Sequence, residues 1–149
     1  MFRLSRGAEY AIRGILHLAS EPEGKISFIE EIARAQDTPK AYLAKIFQAL
    51  TKKGFLKSFR GPDGGFMLTR PAAEVSVLDI IEAMEGPVHL NECLIHKGYC
   101  ARDTFCPIHD VWHEAQKRLM DFLASCSFAD LAEAGRKKQE ALLKNTANE

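Results

Sequence analysis

The 149-residue chain has no apolar run approaching the roughly 18–20 residues that span a bilayer, which excludes a membrane-crossing helix. Its opening, MFRLSRGAEY, lacks the apolar stretch of a secretory signal, so the expected location is the cytoplasm. Internal repeats and low-complexity tracts are absent. There is no nucleotide-binding loop, no substrate-pocket motif and no nucleophile–base pairing, so nothing in the chain points to an enzyme. Cysteine is scarce, with four residues, and none stands in the C-x2-C pair that zinc sites most often use. Net charge is also missing: 20 Lys/Arg balance 20 Asp/Glu, which taken alone argues against a nucleic-acid protein. What remains, at 46% hydrophobic and 27% charged residues, is the composition of an ordinary one-domain globular protein.

The charge is balanced but not evenly spread. Residues 1–33 carry 4 Lys/Arg against 5 Asp/Glu, residues 34–70 carry 8 against 2, and residues 71–149 carry 8 against 13. A continuous basic stretch of this kind is the electrostatic footprint that phosphates require, although a solvated basic face has the same composition.

Apolar spacing predicts a helix over about Ser5 to Ser20, with Ala8, Ala11, Ile12, Ile15 and Ala19 on one stripe. Ser27 and Glu30 read as a capping box for a second helix that turns Ile29, Ile32 and Ala33 inward. Thr38 as N-cap and Pro39 as first residue open a third, whose buried positions are Leu43, Ile46, Phe47 and Leu50 and whose stop is Gly54. FLKSFR, GPDGG and FMLTR then spell strand, turn and strand. Ser76 caps a fourth helix, ending at Gly86-Pro87, that packs Val77, Ile80, Ile81 and Met84. From Pro107 a long helix places Ile108, Val111, Trp112, Ala115, Leu119, Phe122 and Leu123 on one face. A stripe so large, with little chain left to cover it, reads as a homodimer seam; the alternative is packing back on the chain's own first helix. A short final helix starts at Ser127, and the tail from Lys144 is expected to fray.

The expected fold is therefore mainly α. A winged helix-turn-helix DNA-binding domain with a two-stranded β wing occupies residues 1–87, a cysteine loop 88–106, and a long dimerisation helix with a C-terminal tail 107–149. On the third helix, Thr38, Lys40, Ala41, Ala44, Lys45 and Gln48 point away from the buried stripe, the first residues nearest base edges. Lys45, Lys52 and Lys57 suit phosphates. Ser58, Arg60, Gly61 and Pro62 lie on the wing, where Arg60 is placed to enter a minor groove. The partner is double-stranded DNA with a two-fold operator.

Cys93, Cys100 and Cys106 fall within 14 residues, and His109 follows as Cys106-x2-His109. In a reducing compartment such a group reads as metal-binding or redox-active. An iron–sulfur cluster, zinc and redox thiols all remain open on spacing alone. Cys126, standing apart, reads as a small buried residue, and His96 and His113 as less well placed for ligation.

The chain resembles the Rrf-two family of bacterial regulators. The matching stretches are LSRGAEYAIRGILHLA (4–19), YLAKIFQALTKKGFLKSFRGPDGGFML (42–68), SVLDIIEAMEGP (76–87), the three-cysteine loop, and the helix starting near Ile108. The resemblance implies a winged-helix dimer with crossed long helices and an iron–sulfur cluster on the three cysteines, ahead of zinc. It further implies a transcription factor, usually a repressor, that responds to iron–sulfur status, redox or nitric oxide. His109, followed by Trp112, is similar to the pattern that ligates a [2Fe–2S] cluster, which is favoured. Glu9 matches an acidic residue that other members bring from the partner subunit to a [4Fe–4S] cluster, the alternative. Two departures stand out. Six residues separate Cys93 from Cys100 where five are usual, and Ala44 stands where some members have a glutamate in the recognition helix.

Overall fold

The computed structural model describes residues 2–148, in which three helices, a β ribbon and three further helices follow one another. Helix α1 (Arg6–Ser20) starts where Ser5 Oγ accepts the Ala8 amide at 3.1 Å. Its buried face is Gly7, Ala8, Ala11, Gly14, Ile15 and Leu18, so Ile12 and Ala19, expected on the stripe, are only half-buried. At Gly14 the face makes room for the Phe47 ring. A Cβ on Gly14 would lie 2.4 Å from that fully buried ring. Gly14→Val should accordingly destabilise the fold by about 2–3 kcal/mol through overpacking, read as a lowered Tm in thermal unfolding. An unchanged Tm would contradict this contact.

Helix α2 (Ile29–Ala35) buries Ile32 and Ala33, but it does not begin with the expected capping box. Phe28 holds the cap position without a side-chain bond, and Ser27 is used elsewhere. The Ser27 N–H donates to the Phe66 carbonyl, and the Phe66 N–H donates to the Ser27 carbonyl, both at 2.9 Å. The ribbon thus captures Ser27 and moves the helix start along the chain. Helix α3 (Lys40–Lys52) likewise starts one residue late, with Pro39 at the cap. Thr38 is 8% exposed, with its amide bonded to the Ala33 carbonyl at 2.9 Å, so it closes the α2–α3 turn instead of capping α3. Leu43, Ile46, Phe47 and Leu50 are buried as expected. At the far end Gly54 takes φ +87°, and the Phe55 and Gly54 amides return to the carbonyls of Leu50 and Thr51. This pattern satisfies the last turn of the helix.

Strands β1 (Leu56–Phe59) and β2 (Gly65–Leu68) pair antiparallel, from Leu56 opposite Leu68 to Phe59 opposite Gly65. Helix α4 (Val77–Glu85) is closed at its start by a reciprocal Ser76–Asp79 box and at its end by Gly86 at φ +76°. Helix α5 (Pro107–Ser125) packs on α4, and α6 (Phe128–Ala147) folds back on α1. An antiparallel bridge joins their junction to the body: the Val77 amide donates to Cys126 and the Phe128 amide to Val75, both at 2.9 Å. Phe128 enters the core with Ile15, Ile32, Leu43, Phe47 and Ile80.

Two expectations for this end of the chain change. The last helix is long, not short, running through Lys144 to Ala147. Alanine, glutamate and lysine favour it, and Arg136 pairs with Glu133 and Glu140 along one face. Cys126 is half-buried, because it lies at the break between α5 and α6 and not inside either. Among the described residues, no helix is long and apolar enough to cross a membrane.

Candidate nucleic-acid interface and metal centre

The three-helix unit and its ribbon present α3 and the β1–β2 turn on the surface. Ala41, Lys45 and Gln48 are exposed on α3, while Ala44 is half-buried. Thr38 does not join them. Its side chain is buried in the inter-helix turn and its Oγ1 has no hydrogen-bond partner, so it cannot reach a base edge without the turn opening. Lys40 is exposed but engaged, since its Nζ lies 2.5 Å from Glu30 Oε1 on α2. The hydrogen bond from Lys40 holds the Glu30 carboxyl below its usual range. An exposed pair of this kind is weak in water and can yield to a phosphate, which offers a lysine the same charge-assisted bond.

Tyr42 was not expected at this surface. It is 41% exposed and stands edge-on to Tyr10 of α1, with ring centroids 5.5 Å apart. Its position one residue before Leu43, off the apolar stripe, was the signal available in the sequence. On the ribbon, Lys57 and Ser58 are exposed, and the Lys57 ammonium lies 5.2 Å from the Phe59 ring centroid. Arg60, Gly61 and Pro62 form the exposed tip, with Gly61 at φ +98°. The tip is held closed by the Gly64 amide, which donates to the Gly61 carbonyl at 2.9 Å. A Cβ on Gly64 would meet the Phe59 carbonyl oxygen at 2.4 Å, so this tight turn needs glycine there.

The cysteine loop is a chain of turns with one short 3-10 segment, Glu92–Leu94. The Leu90 amide donates to Gln116 Oε1 of α5 at 2.9 Å, which fastens the beginning of the loop along that helix. Further on, the Tyr99 and Asp103 amides donate to the carbonyls of His96 and Cys100. All four cysteines are free thiols, and Cys93, Cys100 and Cys106 are half-buried. Asn91 Nδ2 lies 3.7 Å from the Cys93 sulfur. Cys106 occupies the N-cap of α5, at the positive end of a 19-residue helix, without spending its side chain on a capping bond.

His109, one turn into α5, has a side chain 22% exposed. It shares the wall of a cavity of about 410 Å³ with Cys93, and His96 and His113 line the same cavity. The last two were expected to be poorly placed; the four-residue step from His109 to His113 was the sequence signal that brings His113 there. Cys100 and Cys106 are not part of that wall, and no three of Cys93, Cys100, Cys106 and His109 have ligand atoms all within 4.8 Å of one another. Glu9 is exposed in the first turn of α1.

Helix α5 leaves its apolar face in solvent. None of its residues is fully buried, and Val111 and Phe122 are 55% and 65% exposed. The alternative of packing back on the first helix does not hold within the chain, because α6 occupies α1.

The sequence profile of the Rrf2 family, described as "Iron-dependent Transcriptional regulator", matches residues 4–134. The HTH-type transcriptional regulator IscR of Xenorhabdus nematophila is 32% identical over 141 residues, covering 94% of this chain and 82% of that protein. The IscR of Escherichia coli is 30% identical over 129 residues, covering 87% and 79%. Among solved structures, T. potens IscR superposes with a TM-score of 0.74 at 25% identity over 93% of this chain and 91% of its own. CymR, the global cysteine regulator of B. subtilis, superposes with a TM-score of 0.68 at 26% identity over 90% and 98%.

Proposed function

The chain belongs to the Rrf2 family of transcriptional regulators, and from that premise we propose that it is a homodimeric repressor whose hold on a two-fold operator is set by an iron–sulfur cluster on Cys93, Cys100, Cys106 and His109. The proteins it matches are regulators and not enzymes, which agrees with the lack of catalytic motifs. The observation that carries the reading is the set of three free, half-buried thiols on the loop that leads into the N-terminus of α5, a helix with an exposed apolar face.

The donor set fits such a group. Three soft thiolates and one imidazole are ligands iron–sulfur clusters accept, while Glu9 is a harder carboxylate. The long gaps between the cysteines and the lack of a C-x2-C pair suit a group larger than a single zinc ion, with [2Fe–2S] favoured. When bound, a cluster of this kind supplies a centre that reacts with oxidants and nitric oxide. The chain's own residues do the rest. Gln116 holds the loop along α5, α5 carries the dimer seam, and the pairing across that seam fixes the separation of the two α3 helices.

On DNA, Ala41 and Gln48 face base edges, Lys40, Lys45 and Lys57 face phosphates, and Ser58, Arg60, Gly61 and Pro62 carry the wing to the minor groove. Salt-dependent binding to the operator tests this assignment. Arg60→Ala should weaken binding by about 1–3 kcal/mol, and Lys40→Ala should weaken it and lower the salt slope by about one. A folded Arg60→Ala protein with unchanged affinity and salt slope would contradict the wing's role.

A further inference from the structure

Away from the cysteine loop, α1 and α2 bring His17, Glu21 and Glu31 so close that one donor atom from each lies within 4.8 Å of the others. His17 and Glu21 are one turn apart on α1, and Glu31 comes from the first turn of α2. The His17 side chain is 11% exposed, and its Nε2 is buried with no hydrogen-bond partner. An orphaned buried nitrogen normally costs stability, so its surroundings are informative. It stands 3.5 Å from Glu21 Oε1 and 4.0 Å from Glu31 Oε1. Those separations are near the ~3.4 Å between neighbouring ligands on an ion with ~2.1 Å bonds.

The space between the carboxylates is bridged by Lys25, with Nζ 2.8 Å from Glu21 Oε2 and 3.3 Å from Glu31 Oε1. Two carboxylates and one ammonium leave a unit of negative charge beside the imidazole. A divalent cation in place of the ammonium balances the charge and gives the orphaned nitrogen a bond. Lys25 is 40% exposed and free to swing into solvent. All three donors are nitrogen or oxygen, so the chemistry is distinct from that of the thiolate loop.

We propose that His17, Glu21 and Glu31 form a second metal site, for a divalent first-row cation held by one imidazole and two carboxylates, with Lys25 as its built-in competitor. The ion would clamp α2, the supporting helix of the DNA-reading pair, onto α1. The site stands independently of the cluster.

Titration of the full-length protein with Mn2+, counting free ion by its electron paramagnetic resonance, tests the site. One ion per chain is expected, weakened at least ~10-fold by Glu31→Gln or His17→Ala and tightened about 10-fold by Lys25→Met. The tightening cannot arise from misfolding, which guards the result if the first two variants are unstable. Substituting Cys93, Cys100 and Cys106 together with alanine should leave Mn2+ binding unchanged. Absence of binding up to ~1 mM, or a bound ion indifferent to Lys25→Met and Glu31→Gln, or one lost with the cysteines, would overturn the proposal.

Discussion

Purified under strict anaerobiosis, the unaltered protein should be brown, and Cys93→Ala, Cys100→Ala and Cys106→Ala should each be colourless. The expected loss is complete because removing one thiolate leaves the group incompletely ligated in a loop whose cysteines are only half-buried. His109→Ala should shift or destabilise the visible spectrum without necessarily abolishing it, since three thiolates remain. His109 lies on the same chain, one turn beyond Cys106, and needs nothing from a partner. Glu9→Ala should leave the colour nearly intact. If Glu9→Ala bleaches the protein and His109→Ala does not, the fourth ligand is the acidic residue. Stoichiometric zinc in a colourless wild-type protein would refute the cluster itself.

Leu119→Glu should yield monomer or aggregate in place of the proposed dimer and abolish operator binding. Ile108, Val111, Trp112 and Phe122 are exposed on a helix that buries none of its own residues fully, and Leu119 is half-buried among them. At ~1.5–3 kcal/mol for each large side chain removed from water, a seam of this size greatly exceeds what a charged residue at its centre leaves intact. Light scattering and a gel-shift on the same preparation measure both effects. An intact, DNA-competent Leu119→Glu dimer would exclude α5 as the seam.

The elements legible in the sequence were those specified by local chemistry. The α3 stripe, the Gly54 stop, the Ser76 cap and the wing turn each depend on residues within a few positions, and all four are found as read. The misreadings have a common cause, which is long-range contact. Ser27 has the composition of a cap, but Phe66, 39 residues later, takes its backbone. Thr38 was expected in the groove and is instead folded into the α2–α3 turn. The length of α6 followed from its docking on α1 and from charge pairs that apolar periodicity does not register. At the cysteine loop, spacing identified the donors, but not which of them share a cavity, because turns without periodicity carry no orientation signal.

The bridge between Ser76 and Ser127 makes α5 a lever with its fulcrum at one end. Two backbone hydrogen bonds pin the Cys126 end to the helix-turn-helix body, whereas the Cys106 end is attached to the cysteine loop. Nineteen residues at 1.5 Å each give an arm of about 28 Å, so a tilt of only ~5° moves its far end by roughly 2.5 Å. Read in reverse, a displacement of a few ångströms at Cys106 becomes a small rotation of the whole DNA-reading body about its pin. In the proposed two-fold dimer that rotation would be applied twice with opposite sense, against half-sites that tolerate little error about their ~34 Å spacing. If the thiols hold the proposed cluster, mechanical advantage, and not a change of fold, is enough to turn a local event there into a change of grip on DNA.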